Sequence, residues 1–122
     1  MNDQETTVDQ LKGLVAEFVR EREWERYHSP KNLAMSIAIE AAEIMEMFQW
    51  LELDAAKQRV NHDPEFRAHL CEELADVTAY VLSLCQQNGI DLAAAMEDKM
   101  AKNRRKYPAA AVRGLDYSKP QD

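Results

Sequence analysis

Two stretches of this chain each carry a pair of acids three residues apart among apolar neighbours. One reads Ser36-Ile-Ala-Ile-Glu40-Ala-Ala-Glu43-Ile-Met, the other Leu70-Cys-Glu-Glu73-Leu-Ala-Asp76-Val. On a helix, that spacing sets both acids of a pair on one face. The Ile, Ala, Leu, Met and Val around them are not those of a solvated surface. Buried carboxylates are expensive without a positive partner. A fold that accepts both stretches must therefore bring a cation to them, or buried Lys or Arg. Oxygen-only ligands of this kind suit Mg²⁺ or Mn²⁺.

Three Gly and four Pro in 122 residues, with many Ala, Glu, Leu and Met, favour helix. The length suits one compact domain. The spacing predicts four helices and a tail. The first runs from about Thr7 to Tyr27, with Leu11, Leu14, Val15 and Phe18 as its apolar stripe, and Ser29-Pro30 ends it. The second runs from about Asn32 to Leu53. The third starts at Asp63-Pro64, an N-cap followed by proline, and stops at Asn88-Gly89. Asp91 opens the fourth, which reaches about Tyr107. Residues 1–108 are expected to form the domain, and 109–122 an extended or disordered tail.

A connection of roughly ten residues between the second and third helices makes them antiparallel neighbours. Glu43 lies ten residues before Leu53, and Glu73 ten after Asp63. The two reach the same height, and Glu40 meets Asp76 one turn further on. Sequence spacing alone thus brings all four carboxylates to one level.

The net charge of −7 argues against a nucleic-acid polymer as partner. No apolar run is long enough to span a membrane, and no signal-peptide pattern opens the chain. Cys71 and Cys85 fall in one helix about 21 Å apart, beyond disulfide reach. They read as reduced core thiols of a cytoplasmic protein. His62 and His69 lack a metal-ligand pattern and read as surface residues. P-loop, G-x-G-x-x-G and H-E-x-x-H patterns are absent. The E-x-x-H motifs of di-iron bundles are missing too.

Aromatic and basic residues surround the acids in sequence. Trp50 follows Glu43 by two turns, Tyr80 follows Asp76 by one, and Trp24 and His28 form an i, i+4 pair. Such faces can stack a nucleobase, or simply pack a core. On antiparallel helices, Trp50 and Tyr80 fall on opposite sides of the acid level, so one ligand reaches both only if the site extends or a second subunit contributes. Lys99 and Asn103 share a face ahead of Arg104-Arg105-Lys106. That run complements a helix dipole or clamps phosphate. Lys31-Asn32 are candidates to hold phosphate at a helix N-terminus.

Together these segments resemble the all-α nucleoside triphosphate pyrophosphohydrolases of the MazG-like group, and within it the dCTP pyrophosphatase branch. The match runs through Glu23-Trp24-Glu-Arg-Tyr27-His28-Ser-Pro30-Lys31-Asn32-Leu33, Glu40-Ala-Ala-Glu43, Phe48-Gln49-Trp50, Glu72-Glu73-Leu-Ala-Asp76-Val and Lys99-Met-Ala-Lys-Asn103-Arg104-Arg-Lys-Tyr107-Pro108. The resemblance implies a four-helix bundle assembled as a dimer of dimers, a homotetramer with its site near a subunit interface. It implies Mg²⁺ (or Mn²⁺) held by Glu40, Glu43, Glu73 and Asp76, and a base pocket of Trp24, His28, Trp50 and Tyr80. Lys99 and Asn103 would serve the phosphates. The implied reaction turns a (deoxy)nucleoside triphosphate, dCTP or a modified dCTP foremost, into monophosphate and pyrophosphate, in the service of nucleotide-pool cleansing. A broad-specificity pyrophosphohydrolase and a non-catalytic helical interaction module are the alternatives. The chain departs from the branch at Ile39 and Ala42, where Gly is common, at Val15, where a histidine is common, and at Lys31, where Arg is usual.

Overall fold

The computed structural model describes residues 1–115. Among these every regular element is helical: α1 (Val8–Glu21), a 3-10 turn (Glu25–Tyr27), α2 (Pro30–Phe48), α3 (Leu53–His62), α4 (Pro64–Gln87), α5 (Leu92–Lys106) and the single turn α6 (Ala109–Val112). The all-α expectation holds.

Each long helix begins on a side-chain cap. Thr7 and Gln10 form a reciprocal capping box at α1, with Gln10 N donating to Thr7 Oγ1 (3.1 Å) and Thr7 N to Gln10 Oε1 (2.8 Å). Ser29 accepts from Asn32 N at 3.2 Å, and Pro30 takes the first helical position of α2. Asp63 does the same for α4, ahead of Pro64, accepting from Phe66 N at 3.2 Å. Gly89, at φ 63°, closes α4, and Ile90 N returns to Cys85 O at 2.9 Å.

Ahead of α4, three elements depart from the sequence expectation. α1 stops at Glu21 rather than near Tyr27, because Glu23 adopts φ 53° and Trp24 N bonds back to Val19 O at 3.1 Å. This is the Schellman turn with glutamate in the place usually held by glycine. Trp24 and His28 are therefore not an i, i+4 pair. α2 ends at Phe48, so Trp50 does not continue the face of Glu43. The segment expected to be a plain connection folds as α3, and Asp63 both closes it and caps α4.

Within Met1–Ile90, one compact unit, α4 is the element against which α1, α2 and α3 all pack. α2 lies antiparallel to it. Phe48 at the end of α2 meets Phe66 at the start of α4, with ring centroids 5.5 Å apart, while His28, just before α2, meets Tyr80 further along α4. α1 is antiparallel to α4 as well: Lys12 Nζ donates to Ile90 O at 2.7 Å, and Val19 lines the same hollow as Asp76. Val19, Leu33, Phe66, Leu82 and Cys85 form the buried apolar core. Cys85 is the core thiol expected; Cys71, on the same helix, is exposed.

A second compact unit begins at Asp91. Asp91 Oδ1 accepts from Ala94 N at 2.9 Å to start α5, whose last turn carries Arg104, Arg105 and Lys106. Ala109–Val112 form one helical turn where the sequence suggests extended chain. The rest of the expected tail, 116–122, lies outside the described residues.

Leu33 is only 1% exposed, so Leu33→Ala should cost roughly 2–5 kcal/mol, read as a fall in the urea midpoint. An unchanged midpoint would mean that the core does not rest on this residue.

Candidate active site

α2 presents Glu40 and Glu43, and α4 presents Glu73 and Asp76. One carboxylate oxygen from each of Glu40, Glu73 and Asp76 lies within 4.8 Å of the other two. Glu43 stands beside this trio, near enough for its charge to act on both Glu40 and Glu73. The register counted from sequence is the one observed. Glu73 is only 8% exposed and Glu40 is half-buried. The Oε2 atoms of both are buried and lack any hydrogen-bond partner among the described residues.

The electrostatics follow from this crowding. Burial pushes the Glu40 carboxyl above its ordinary range, and the charges of Glu43, Asp76 and Glu73 push it further. Burial also raises Glu73, with Glu43 adding to the shift and His69 opposing it. Among the described residues no Lys or Arg pairs with any of the four acids, which leaves the alternative of buried cationic side chains without support. A divalent cation fits instead. The donors are all carboxylate oxygens, two of them orphaned, and their 4.8 Å limit is little more than the ~4.2 Å across an octahedral Mg²⁺.

Two hollows flank the cluster. One, of about 150 Å³, is lined by Val15, Phe18, Val19, Trp24, His28, Asp76, Ala79, Tyr80 and Ser83. Here the expected residues Trp24, His28 and Tyr80 come together, with Asp76 joining them to the acids. His28 and Tyr80 have ring centroids 6.3 Å apart, and Trp24 meets Phe18 edge-on at 5.9 Å. The left-handed break at Glu23 makes this possible, since it frees the segment after α1 to fold over α4. Val15 occupies one wall, which is apolar where the resembling branch often has a histidine.

The other hollow, about 370 Å³ and more open, is lined by Glu43, Glu46, Met47, Arg59, Phe66, His69 and Glu73. The sequence reading missed two of these residues. His69 is a surface residue as expected, and its Nε2 lies 3.1 Å from Glu73 Oε1. The i, i+4 spacing from Glu73 was the available signal. Arg59 stacks 4.4 Å over Phe66 and bonds Asp63 at 3.3 Å. It could not be placed while its segment was read as a loop.

Within Met1–Ile90, Trp50, Lys31 and Asn32 line neither hollow. Trp50 lies beyond α2 and is 87% exposed, outside the aromatic hollow. Lys31 is exposed in the first turn of α2. Asn32 Nδ2 donates to Tyr27 O at 3.0 Å, tying down the 3-10 turn that carries Tyr27 toward α2. Lys99 and Asn103 lie one turn apart on α5, Lys99 exposed and Asn103 half-buried.

The chain belongs to the MazG-like family, whose model matches residues 35–118. At closer range the chain is 40% identical over 110 residues to dCTP pyrophosphatase 1 of Rattus norvegicus, covering 90% of this chain and 64% of the relative. It is 40% identical over 109 residues to dCTP pyrophosphatase 1 of Homo sapiens, covering 89% and 64%. The chain thus spans less than two thirds of the length of these curated relatives. The crystal structure of a pyrophosphatase from Archaeoglobus fulgidus is similar to it with a TM-score of 0.77 and 38% identity, covering 88% of this chain and 98% of that one.

Because the Glu40 and Glu73 carboxyls are raised, the folded state prefers them protonated. Their penalty is absent below the ordinary carboxylate range and grows as pH rises through the raised values. Asp63 behaves oppositely: its cap to Phe66 N lowers it, so its stabilisation is lost as pH falls. That contribution is common to wild type and Glu40→Gln and cancels in their difference. Without divalent cation, Glu40→Gln should melt above wild type at neutral pH, and the gap should close as pH falls through the carboxylate range. Calorimetry across pH reads this. A variant that melts at or below wild type at neutral pH would mean that Glu40 carries no such penalty.

Proposed function

We propose that this chain hydrolyses a (deoxy)nucleoside triphosphate, dCTP or a modified dCTP foremost, between the α- and β-phosphates, releasing monophosphate and pyrophosphate. The observation that carries the reading is the junction at Asp76. A carboxylate cluster with orphaned, buried oxygens opens directly onto an aromatic hollow of a size to admit a base. The similarity to dCTP pyrophosphatase 1 and to a pyrophosphatase supports it.

In this proposal Glu40, Glu73 and Asp76 hold Mg²⁺ or Mn²⁺, with Glu43 completing the set. Such an ion supplies charge neutralisation at the phosphates and a lower pKa for the attacking water. Glu43, whose oxygens fall outside the close trio, is the carboxylate we assign to take the water's proton. The water oxygen bonds to the α-phosphorus, the bond from that phosphorus to the bridging oxygen breaks, and pyrophosphate leaves. Trp24 and Tyr80 embrace the base and His28 bonds its edge. Lys99 and Asn103 serve the phosphates on the strength of the family motif, as do Lys31 and Asn32. Residues 1–108 are the functional domain in this reading, and the setting is the cytoplasmic nucleotide pool. No helix among the described residues is long and apolar enough to cross a membrane.

A dimer of dimers completes the proposal. α2 is apolar on its outward face as well: Met35, Ile39 and Met45 there are exposed, as are Trp50 and Leu53 beyond it. Helices apolar all round are covered in the working protein, and a second copy is the cover we propose. Trp50 would then reach the base pocket of another subunit.

Incubation with Mg²⁺ and each dNTP and NTP, with products resolved, tests the reaction. Monophosphate and pyrophosphate, fastest from dCTP, are expected. Equal rates on all bases would favour broad specificity, and no turnover would favour an interaction module. Asp76→Asn should lower kcat/KM by at least about 100-fold, the loss of several kcal/mol of charge stabilisation, with circular dichroism unchanged.

Ile39→Glu sets a charge in the middle of the outward face of α2. It should shift the light-scattering mass of the chain to a smaller species. A wild-type protein that is already monomeric would end the proposal of a tetramer.

A further inference from the structure

We infer that His69 is a positioning residue of the acid cluster, holding one oxygen of Glu73 so that the other is presented to a divalent cation. The inference rests on the metal reading above and adds a residue to it.

The geometry is local and well determined by the helix. His69 and Glu73 are one turn apart on α4, the spacing at which side chains meet. Nε2 of His69 lies 3.1 Å from Oε1 of Glu73, a hydrogen-bond distance. The carboxylate accepts, so Nε2–H donates, and a neutral imidazole is enough. The second oxygen, Oε2, is buried and has no partner. Glu73 as a whole is 8% exposed.

A free carboxylate turns easily about its last torsion, where the wells are broad and two-fold. Glu43 sits against Glu73 and repels it. Unrestrained, Glu73 would rotate away from Glu43 or exchange its two oxygens. The imidazole selects one orientation: Oε1 is engaged on the side of the open hollow, and Oε2 is left inside. The side chain of His69 is 55% exposed, so it is not there to fill the core. A hydrogen bond to the far atom of a ligand is the usual way a protein orients a metal site, and removing such a partner typically weakens metal binding about 10–100-fold.

The test is Mn²⁺ binding, followed by the electron paramagnetic resonance of the free ion, for wild type, His69→Ala, His69→Gln and Asp76→Asn. The expected result is a dissociation constant about 10–100-fold weaker for His69→Ala, with most of the affinity regained in His69→Gln, whose amide can donate to the same oxygen. Helix content should be unchanged, since the imidazole is half exposed. His69→Ala within about twofold of wild type, well short of the usual outer-partner effect, would overturn the inference and leave the metal reading intact. Equal losses in His69→Ala and His69→Gln would overturn it too, because the donor would not be what matters. Wild type that binds Mn²⁺ no better than Asp76→Asn would overturn the metal reading, and this inference with it.

Discussion

Carboxylates that repel one another at the contact between α2 and α4 are the constraint on which the rest depends. Burial and mutual charge both act against ionisation of Glu40 and Glu73, and no described Lys or Arg relieves them. The helices stay together because apolar contacts hold them above and below the acid level. Phe48 against Phe66 closes one end. Leu33, with Leu82 and Cys85 further along α4, belongs to the core toward the other. Asp63 then fixes where α4 begins, since it caps that helix and is bonded by Arg59. The cluster is thus imposed by packing, and what it lacks is positive charge. Three of its oxygens lie close enough together to hold a metal ion.

The same economy shows in the apolar residues. The sequence is 46% hydrophobic, yet only five apolar side chains in the described chain are buried. α2 meets both demands at once: Leu33 and Glu40 face α4, and Met35 and Ile39 face outward. α2 thus carries a polar cluster on one side and an exposed apolar surface on the other.

Much of this was legible in the sequence because it is local. Ser29-Pro30, Asp63-Pro64 and Asn88-Gly89 mark helix ends by chemistry that acts over one turn. The register of the acids was legible as well, although the connection proved to be a helix, because antiparallel pairing depends on where the two helices face each other and not on what joins them. The end of α1 was hidden because glutamate, not glycine, adopts the left-handed position. α3 was hidden by its polar composition. Trp50 was assigned to the face of Glu43 by helical spacing that stops two residues too soon. The contact of His69 with Glu73 follows no metal-ligand pattern and rests only on the i, i+4 spacing along α4.

The break at Glu23 separates the two tasks of the site. Had α1 continued to Tyr27, Trp24 and His28 would lie on a rigid helix and face one direction. Instead, a turn tied down by Asn32 brings them against Tyr80. The aromatic hollow is therefore built from a loop and two helix faces, whereas the carboxylates stand on two long helices alone. Only Asp76 belongs to both. Substitutions at Val15, Trp24 or His28 can reshape the hollow with no change in the acids, while any change in the register of α2 on α4 disturbs all four acids together. The Val15 wall thus belongs to the hollow alone, apart from Glu40, Glu43 and Glu73.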